Sequence, residues 1–148
     1  MARTPHRLLA LAGVQLFQVA EESMGPALKP GDGLVTVRLW LPRRGRIVVF
    51  DHPDRPGFAL VKRIVGLPGE RVAIVAGALR VDDVALSNPW GRGHPGRDGT
   101  WDVPPHQVFV LSDARELTRA DSREFGPIAV SGLRRVVHVS RRSPSAAT

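Results

Sequence analysis

Three polar clusters, separated by apolar runs, hold the residues of this chain that could do chemistry. The first is Glu21-Glu22-Ser23-Met24-Gly25-Pro26-Ala27-Leu28, followed by Pro30-Gly31-Asp32. A serine at a strand end, just before a Gly-Pro turn, has an exposed hydroxyl and a free backbone N–H. An ordinary turn serine looks the same. The second is Lys62, inside Phe58-Ala59-Leu60-Val61-Lys62-Arg63-Ile64-Val65-Gly66. On a strand, Leu60, Lys62 and Ile64 share one face, and Val61, Arg63 and Val65 the other. Burial there would lower the lysine pKa from about 10.4 toward neutrality. A neutral amine can act as general base for a serine, whereas on a half-exposed strand the same lysine would simply snorkel. The third cluster is Ser112-Asp113-Ala114-Arg115 with Asp121-Ser122-Arg123-Glu124-Phe125-Gly126. By itself it reads as a solvated, salt-bridged loop.

The composition narrows the chemistry. There are no cysteines, so a disulfide framework, a thiolate zinc site, an iron–sulfur cluster and a Cys nucleophile are all excluded. The histidines His6, His52, His94, His106 and His138 are scattered. None stands at metal-ligand spacing or in a Ser–His–Asp context. The polar clusters therefore permit a serine mechanism without histidine, and they call for no metal and no cofactor. Only Lys29 and Lys62 are lysines, and the other 19 basic residues are Arg. Arg keeps its proton in a protein and Lys need not, so a lysine in an apolar run of so Arg-rich a chain needs a reason. The net charge of +7 suits an anionic partner but also mere solubility.

The elements that must position these clusters are short. The chain has 148 residues, with 43% apolar and 24% charged residues, and fits one ordinary domain. Its 15 Gly and 13 Pro favour strands and turns over a helix bundle. Strands are expected over 15–22, 34–41, 46–50, 58–65, 101–103, 107–111, 128–130 and 133–139, with a hairpin of 71–75 and 78–81. The Gly-, Pro- and Arg-rich stretch 87–99 reads as a surface loop. One helical turn is expected near 127–133. The fold class is thus all-β, with residues 1–14 an N-terminal segment, 15–140 the folded domain and 141–148 a polar, disordered tail. Leu8–Ala20 is 13 residues long and interrupted by Gly13, Gln15 and Gln18. A spanning helix needs about 20, so a buried strand is expected there and a membrane anchor is not.

Taken in order, the clusters resemble the type I signal peptidase family, serine peptidases with a Ser–Lys dyad. The family's Ser-Met-x-Pro-Thr-Leu and Gly-Asp stand here as Ser23-Met24-Gly25-Pro26-Ala27-Leu28 and Gly31-Asp32. Its Arg-Gly-Asp-Ile-Val-Val-Phe is Arg44-Gly45-Arg46-Ile47-Val48-Val49-Phe50. Its lysine box is Val61-Lys62-Arg63-Ile64-Val65-Gly66-Leu67-Pro68-Gly69-Glu70, and its last box runs from Ser112-Asp113-Ala114 to Asp121-Ser122-Arg123-Glu124-Phe125-Gly126-Pro127-Ile128. The resemblance implies a compact β domain of the signal-peptidase and LexA-like type. It implies Ser23 as nucleophile, Lys62 as general base, and Met24 lining the substrate cleft. Asp121 and Arg123 would form a supporting ion pair around Ser122, and a hydroxyl of the last box, best matched by Thr118, would orient the lysine. The expected substrate is a protein precursor cut after small residues of the Ala-X-Ala type. The expected setting is membrane-associated or cytoplasmic, with peripheral membrane contact possible and the protein a monomer.

The chain departs from the pattern at several positions. Glu21 stands two residues before the nucleophile, where a hydroxyl or Gly serves the oxyanion hole in many relatives. Ala27 replaces Thr, Ser112-Asp113-Ala114 replaces Gly-Asp-Asn, and the Asp113–Asp121 interval is one residue longer. These changes leave room for a weakly active paralogue. Short members of this superfamily include maturation proteases that trim a cytoplasmic precursor of nickel-type superoxide dismutase, a second option for the substrate. A self-cleaving repressor would need a DNA-binding domain and a cleavable linker, which 148 residues do not accommodate. A non-enzymatic basic binding protein is the remaining alternative. Aromatics make up only 5%, and no basic–aromatic stripe of the kind nucleic acid would need is present.

Overall fold

The alternation of apolar and polar residues decides most of the architecture. A computed structural model describes residues 2–3, 13–87 and 90–142. The strands are β1 (Ala2–Arg3), β2 (Val14–Val19), β3 (Gly33–Arg38), β4 (Ile47–His52), β5 (Arg55–Gly66), β6 (Arg71–Val75), β7 (Ala78–Val81), β8 (Val84–Ala85), β9 (Gly99–Asp102), β10 (Gln107–Leu111), β11 (Ile128–Ala129) and β12 (Arg134–Ser140). A single turn of helix, α1 (Ser122–Phe125), completes the elements. The fold is all-β, as the sequence predicts.

The larger sheet has the order β1-β2-β3-β12-β4-β5-β10-β11, and β1 also pairs with β5. That second pairing closes β1, β2, β3, β12, β4 and β5 on one another. A smaller antiparallel sheet, β8-β7-β6-β9, is built on the 71–81 hairpin. The spine of the molecule is β5. Its last eight residues, 59–66, are all buried. The period of two sends Val61 into one apolar cluster with Phe17, Val19 and Leu34. It sends Leu60 and Ile64 into a second cluster with Val48, Val108 and Val110. Val65 joins a third, under the small sheet, with Val72, Ile74 and Phe109. At the end of β5, a Cβ on Gly66 would lie 2.6 Å from Val72 and 2.8 Å from Phe109. This close approach is what requires a glycine in the turn that follows the lysine strand.

Three expectations need correction. The helical turn is at Ser122–Phe125, not at 127–133, which holds β11 and a turn. The cause is a local cap: Asp121 Oδ1 accepts from the Arg123 N–H at 3.0 Å. The stretch 87–99 is not a free loop throughout. Arg92 bridges to Ala114 in parallel, and Gly99 begins β9. Arg141, assigned by sequence to the tail, pairs with buried Asp32 at 2.8 Å. Residues 143–148, and residues 4–12 of the N-terminal segment, lie outside the described residues.

Candidate active site

The nucleophile candidate sits where β2 ends. After Val19 the chain turns through Ser23, and the loop returns to the sheet edge by two backbone bonds. Val19 N–H donates to the Asp32 carbonyl at 2.9 Å, and Gly31 N–H donates to the Val19 carbonyl at 2.8 Å. Inside the turn, Gly25 N–H donates to the Glu22 carbonyl and Leu28 N–H to the Met24 carbonyl, and the Gly25–Pro26 bond is cis. Asp32 fastens the far side by accepting from the Lys29 N–H and from Arg141. Burial opposes ionisation of Asp32, but these donors and the Arg142 N–H outweigh it. Its carboxyl therefore lies below the ordinary value. Ser23, expected with an exposed hydroxyl, is instead buried by the tight turn, at 9% exposed.

Met24 behaves differently from the expectation. It is 1% exposed and packs with Leu28, Phe17 and Leu34 in the core. The tight turn directs it inward, so it anchors the floor beneath Ser23 instead of presenting an open cleft wall.

Lys62 lies in the middle of β5, opposite Val48 of β4 and flanked on its face by Leu60 and Ile64. It is only 2% exposed. Loss of hydration lowers its pKa to about 8, against the raising effects of Asp121, Glu21 and Asp113; Arg123 lowers it further. The snorkelling alternative therefore fails, because the stem and the amine are both inside.

The third cluster is not a solvated loop. Arg63, next to Lys62, donates through Nε and Nη2 to both oxygens of Asp113, at 2.9 and 2.7 Å, and through Nη1 to the Gly45 carbonyl. Arg123 grips Asp121 in the same forked way, at 2.9 and 2.7 Å, with both side chains buried. Burial opposes ionisation of Asp121, yet Arg123 and the Ser112 N–H keep its carboxyl below the ordinary value. Ser122 is fully buried, and its hydroxyl accepts from the Val110 N–H at 2.9 Å. It locks α1 onto β10. Thr118 Oγ1 accepts from the Ala120 N–H at 3.0 Å, and the Thr118 carbonyl accepts from Arg123.

These pieces converge through a few bonds. Ala114 N–H donates to the Ser23 carbonyl at 2.9 Å, so the nucleophile turn is tied to the residue beside Asp113. Asp113 holds Arg63, the neighbour of Lys62. The charge of Glu21, two residues before Ser23, is felt at the Lys62 amine. Arg92 adds a strap: its N–H donates to the Asp113 carbonyl at 2.8 Å, and its guanidinium reaches the Gly25 carbonyl. A buried amine with reduced proton affinity, a turn serine and two buried Arg–Asp forks thus occupy one region. No group of His, Asp or Glu suited to a metal ion occurs among the described residues.

Sequence reasoning missed the strap, the Arg63–Asp113 fork and the burial of Arg115. Arg63 and Asp113 are 50 residues apart, which local spacing cannot connect. The nearest available signal was Asp113 following a run of β-formers. The Asp121–Arg123 fork gives a direct test of packing. Asp121→Ala leaves a buried guanidinium without its carboxylate, and about 3–5 kcal/mol of stability is expected to be lost. Chemical denaturation of the purified variant measures it.

Most of the chain is similar to known proteins. The family model described as signal peptidase, peptidase S26, matches residues 7–139. A signal peptidase I of Bacillus caldolyticus is 32% identical over 136 residues, covering 79% of this chain and 73% of its own. A mitochondrial ATP-independent inner membrane protease subunit 1b of Arabidopsis thaliana is 32% identical over 111 residues, covering 72% and 57%. The chain spans 23% of the length of a signal peptidase I of Buchnera aphidicola and 76% of that of signal peptidase I V of Bacillus subtilis. The crystal structure of a signal peptidase I from Enterococcus faecalis superposes with a TM-score of 0.58 at 28% identity, covering 68% of this chain and 99% of that one.

Proposed function

The chain belongs to the peptidase S26 family of signal peptidases, and on that premise we propose that it is a serine endopeptidase working through a Ser23–Lys62 dyad. The observation that carries the reading is Lys62: an amine inside the core, on the strand tied to the Ser23 turn through Arg63, Asp113 and Ala114. An apolar side chain would fill that position without the cost of burying an amine, and a general-base role gives the amine a use.

In the proposed cycle neutral Lys62 Nζ takes the Ser23 hydroxyl proton as Ser23 Oγ bonds to the scissile carbonyl carbon. The Ser23 backbone N–H helps hold the resulting oxyanion. Collapse breaks the C–N bond, and the Lys62 ammonium returns the proton to the leaving amine. Water, deprotonated by Lys62, then attacks the ester, and Ser23 leaves with the proton. The substrate is a precursor carrying a signal or leader peptide with small residues of the Ala-X-Ala type before the cut. Cleavage of such a peptide, followed by mass spectrometry, tests the specificity. Products cut after the second Ala support it, and an intact peptide removes that substrate class.

The reaction needs Lys62 without its proton. Protonation below its pKa removes the base, so kcat/KM is expected to rise with pH with a midpoint of about 8. The Glu21 charge favours the ammonium. Glu21→Gln is therefore expected to move that midpoint to lower pH and to raise turnover at neutral pH. A pH–rate profile of the variant beside wild type measures the shift.

No helix among the described residues is long and apolar enough to cross a membrane. Peripheral contact is proposed at the turn after β3. There Trp40 and Leu41 are 75% and 68% exposed, and Arg38 stacks 4.0 Å above the Trp40 ring. An exposed Trp and Leu beside Arg suits an anionic lipid surface. Cosedimentation with vesicles of phosphatidylglycerol is expected to fall for Trp40→Ala with Leu41→Ser.

A further inference from the structure

Ser112 carries the one buried side-chain polar atom without a hydrogen-bond partner among the described residues. It is 0% exposed. Its backbone is fixed: the N–H donates to Asp121 Oδ2 at 3.0 Å, and the carbonyl accepts from Arg115 Nε. The following residue is held by Arg63. What remains to choose is the side-chain torsion that aims the hydroxyl, which in this structure is hydrogen-bonded to no group, Lys62 included.

The strand register says where that hydroxyl sits. On β10 and β5, Val110 faces Ile64 and Leu111 faces Arg63. Extending the same register by one residue beyond the end of β10 brings Ser112 level with Lys62. Residues directly opposed across a ladder project from the same face of the sheet. A fully buried hydroxyl that is not hydrogen-bonded and a buried amine thus fall at the same level of the two strands, one step past the last paired residues.

We infer that Ser112 is a positioning residue, whose Oγ holds the Lys62 amine so that its lone pair points at Ser23. This rests on the dyad reading above. A neutral amine has one lone pair and two N–H groups. If the lone pair is to meet the Ser23 hydroxyl, an N–H must be engaged elsewhere, and Ser112 Oγ has two acceptor lone pairs. After proton transfer the same oxygen accepts from the ammonium. Leaving a buried hydroxyl unbonded is costly, so natural interiors seldom keep one that has no use. Thr118, the hydroxyl suggested by resemblance, is committed differently. Its Oγ1 takes the Ala120 N–H and its carbonyl takes Arg123, which builds the loop. The serine stands where the family pattern has glycine, so this chain has a hydroxyl at the strand end where that pattern has none.

The test compares wild type, Ser112→Ala, Ser112→Thr, Ser23→Ala and Lys62→Arg on one Ala-X-Ala peptide, with melting temperatures. Ser112→Ala is expected to lower kcat by about 10- to 100-fold with KM within about twofold. Its pH midpoint is expected to fall, because an acceptor to the ammonium is gone. Its melting temperature is expected to change little, since the bonds that fix Ser112 in the fold run through its backbone N–H and carbonyl and not through the hydroxyl. Ser112→Thr, which keeps a hydroxyl, is expected to recover part of kcat. Wild-type kcat and pH midpoint in Ser112→Ala, with Ser23→Ala and Lys62→Arg inactive, would overturn the inference and leave the dyad standing. A fall in kcat that follows a fall in melting temperature, with the pH midpoint unmoved, would overturn it as well. Activity in Ser23→Ala or Lys62→Arg would remove the dyad, and the inference with it.

Discussion

Lys62→Arg is expected to abolish turnover, by about 10⁴-fold or more, while leaving the chain folded. Arginine keeps the positive charge and most of the stem but stays protonated at any working pH, so it cannot accept the Ser23 proton. Lys62→Met removes the base in another way and separates activity from stability. The amine sits at about 8 when folded, against 10.5 for an ordinary lysine. That gap corresponds to about 3 kcal/mol at neutral pH. A lysine with a lowered folded pKa costs stability below the folded value, where both states are protonated. The cost disappears as pH rises through the window from about 8 to 10.5. Lys62→Met is therefore expected to be inactive yet more thermostable than wild type at pH 7, with the difference shrinking toward pH 10. Thermal melts at the two pH values measure this. Loss of activity together with loss of stability would instead mark Lys62 as a packing residue.

Ser23→Ala is expected to cost as much activity as any single change, because no second hydroxyl is tied into the turn that holds Ser23. Residues that act as one unit are not additive. The double variant with Lys62→Arg should be no worse than either single change. The turn itself does not depend on the hydroxyl. Its bonds run through backbone groups of Val19, Glu22, Met24 and Ser23. The variant should melt near wild type, and initial rates with the Ala-X-Ala peptide measure the loss.

The parts of the site that lie on one strand were legible in the sequence. Alternation placed Lys62 between Leu60 and Ile64, and this holds in the structure; Ser23, expected at the end of a strand over 15–22, lies in the turn four residues after β2 ends at Val19. What was not legible depends on distant pairing. Charged residues read as solvated until a partner is known, so the buried fork between Arg63 and Asp113, 50 residues apart, was not seen, whereas the Asp121–Arg123 pair was named from the resemblance and only its burial was missed. The helical turn was misplaced for a local reason. Asp121-Ser122-Arg123-Glu124 has the shape of a capped helix start, but its charges drew it into the loop reading. Met24 was a cleft residue only by resemblance to the family, and the structure buries it in the core. Ser112 could have been found only by counting the ladder from Leu111, which requires knowing that β10 pairs with β5.

The measurement closest to the central claim is acid-quenched intact-mass spectrometry of the protein during turnover of an Ala-X-Ala peptide ester, with peptide mapping of any adduct. The dyad account expects a mass increase equal to the acyl part of the substrate, on the peptide containing Ser23. It expects that adduct to be absent in Ser23→Ala and in Lys62→Arg. Cleavage by the wild type that continues in Ser23→Ala, or an adduct mapped to another residue, would contradict it.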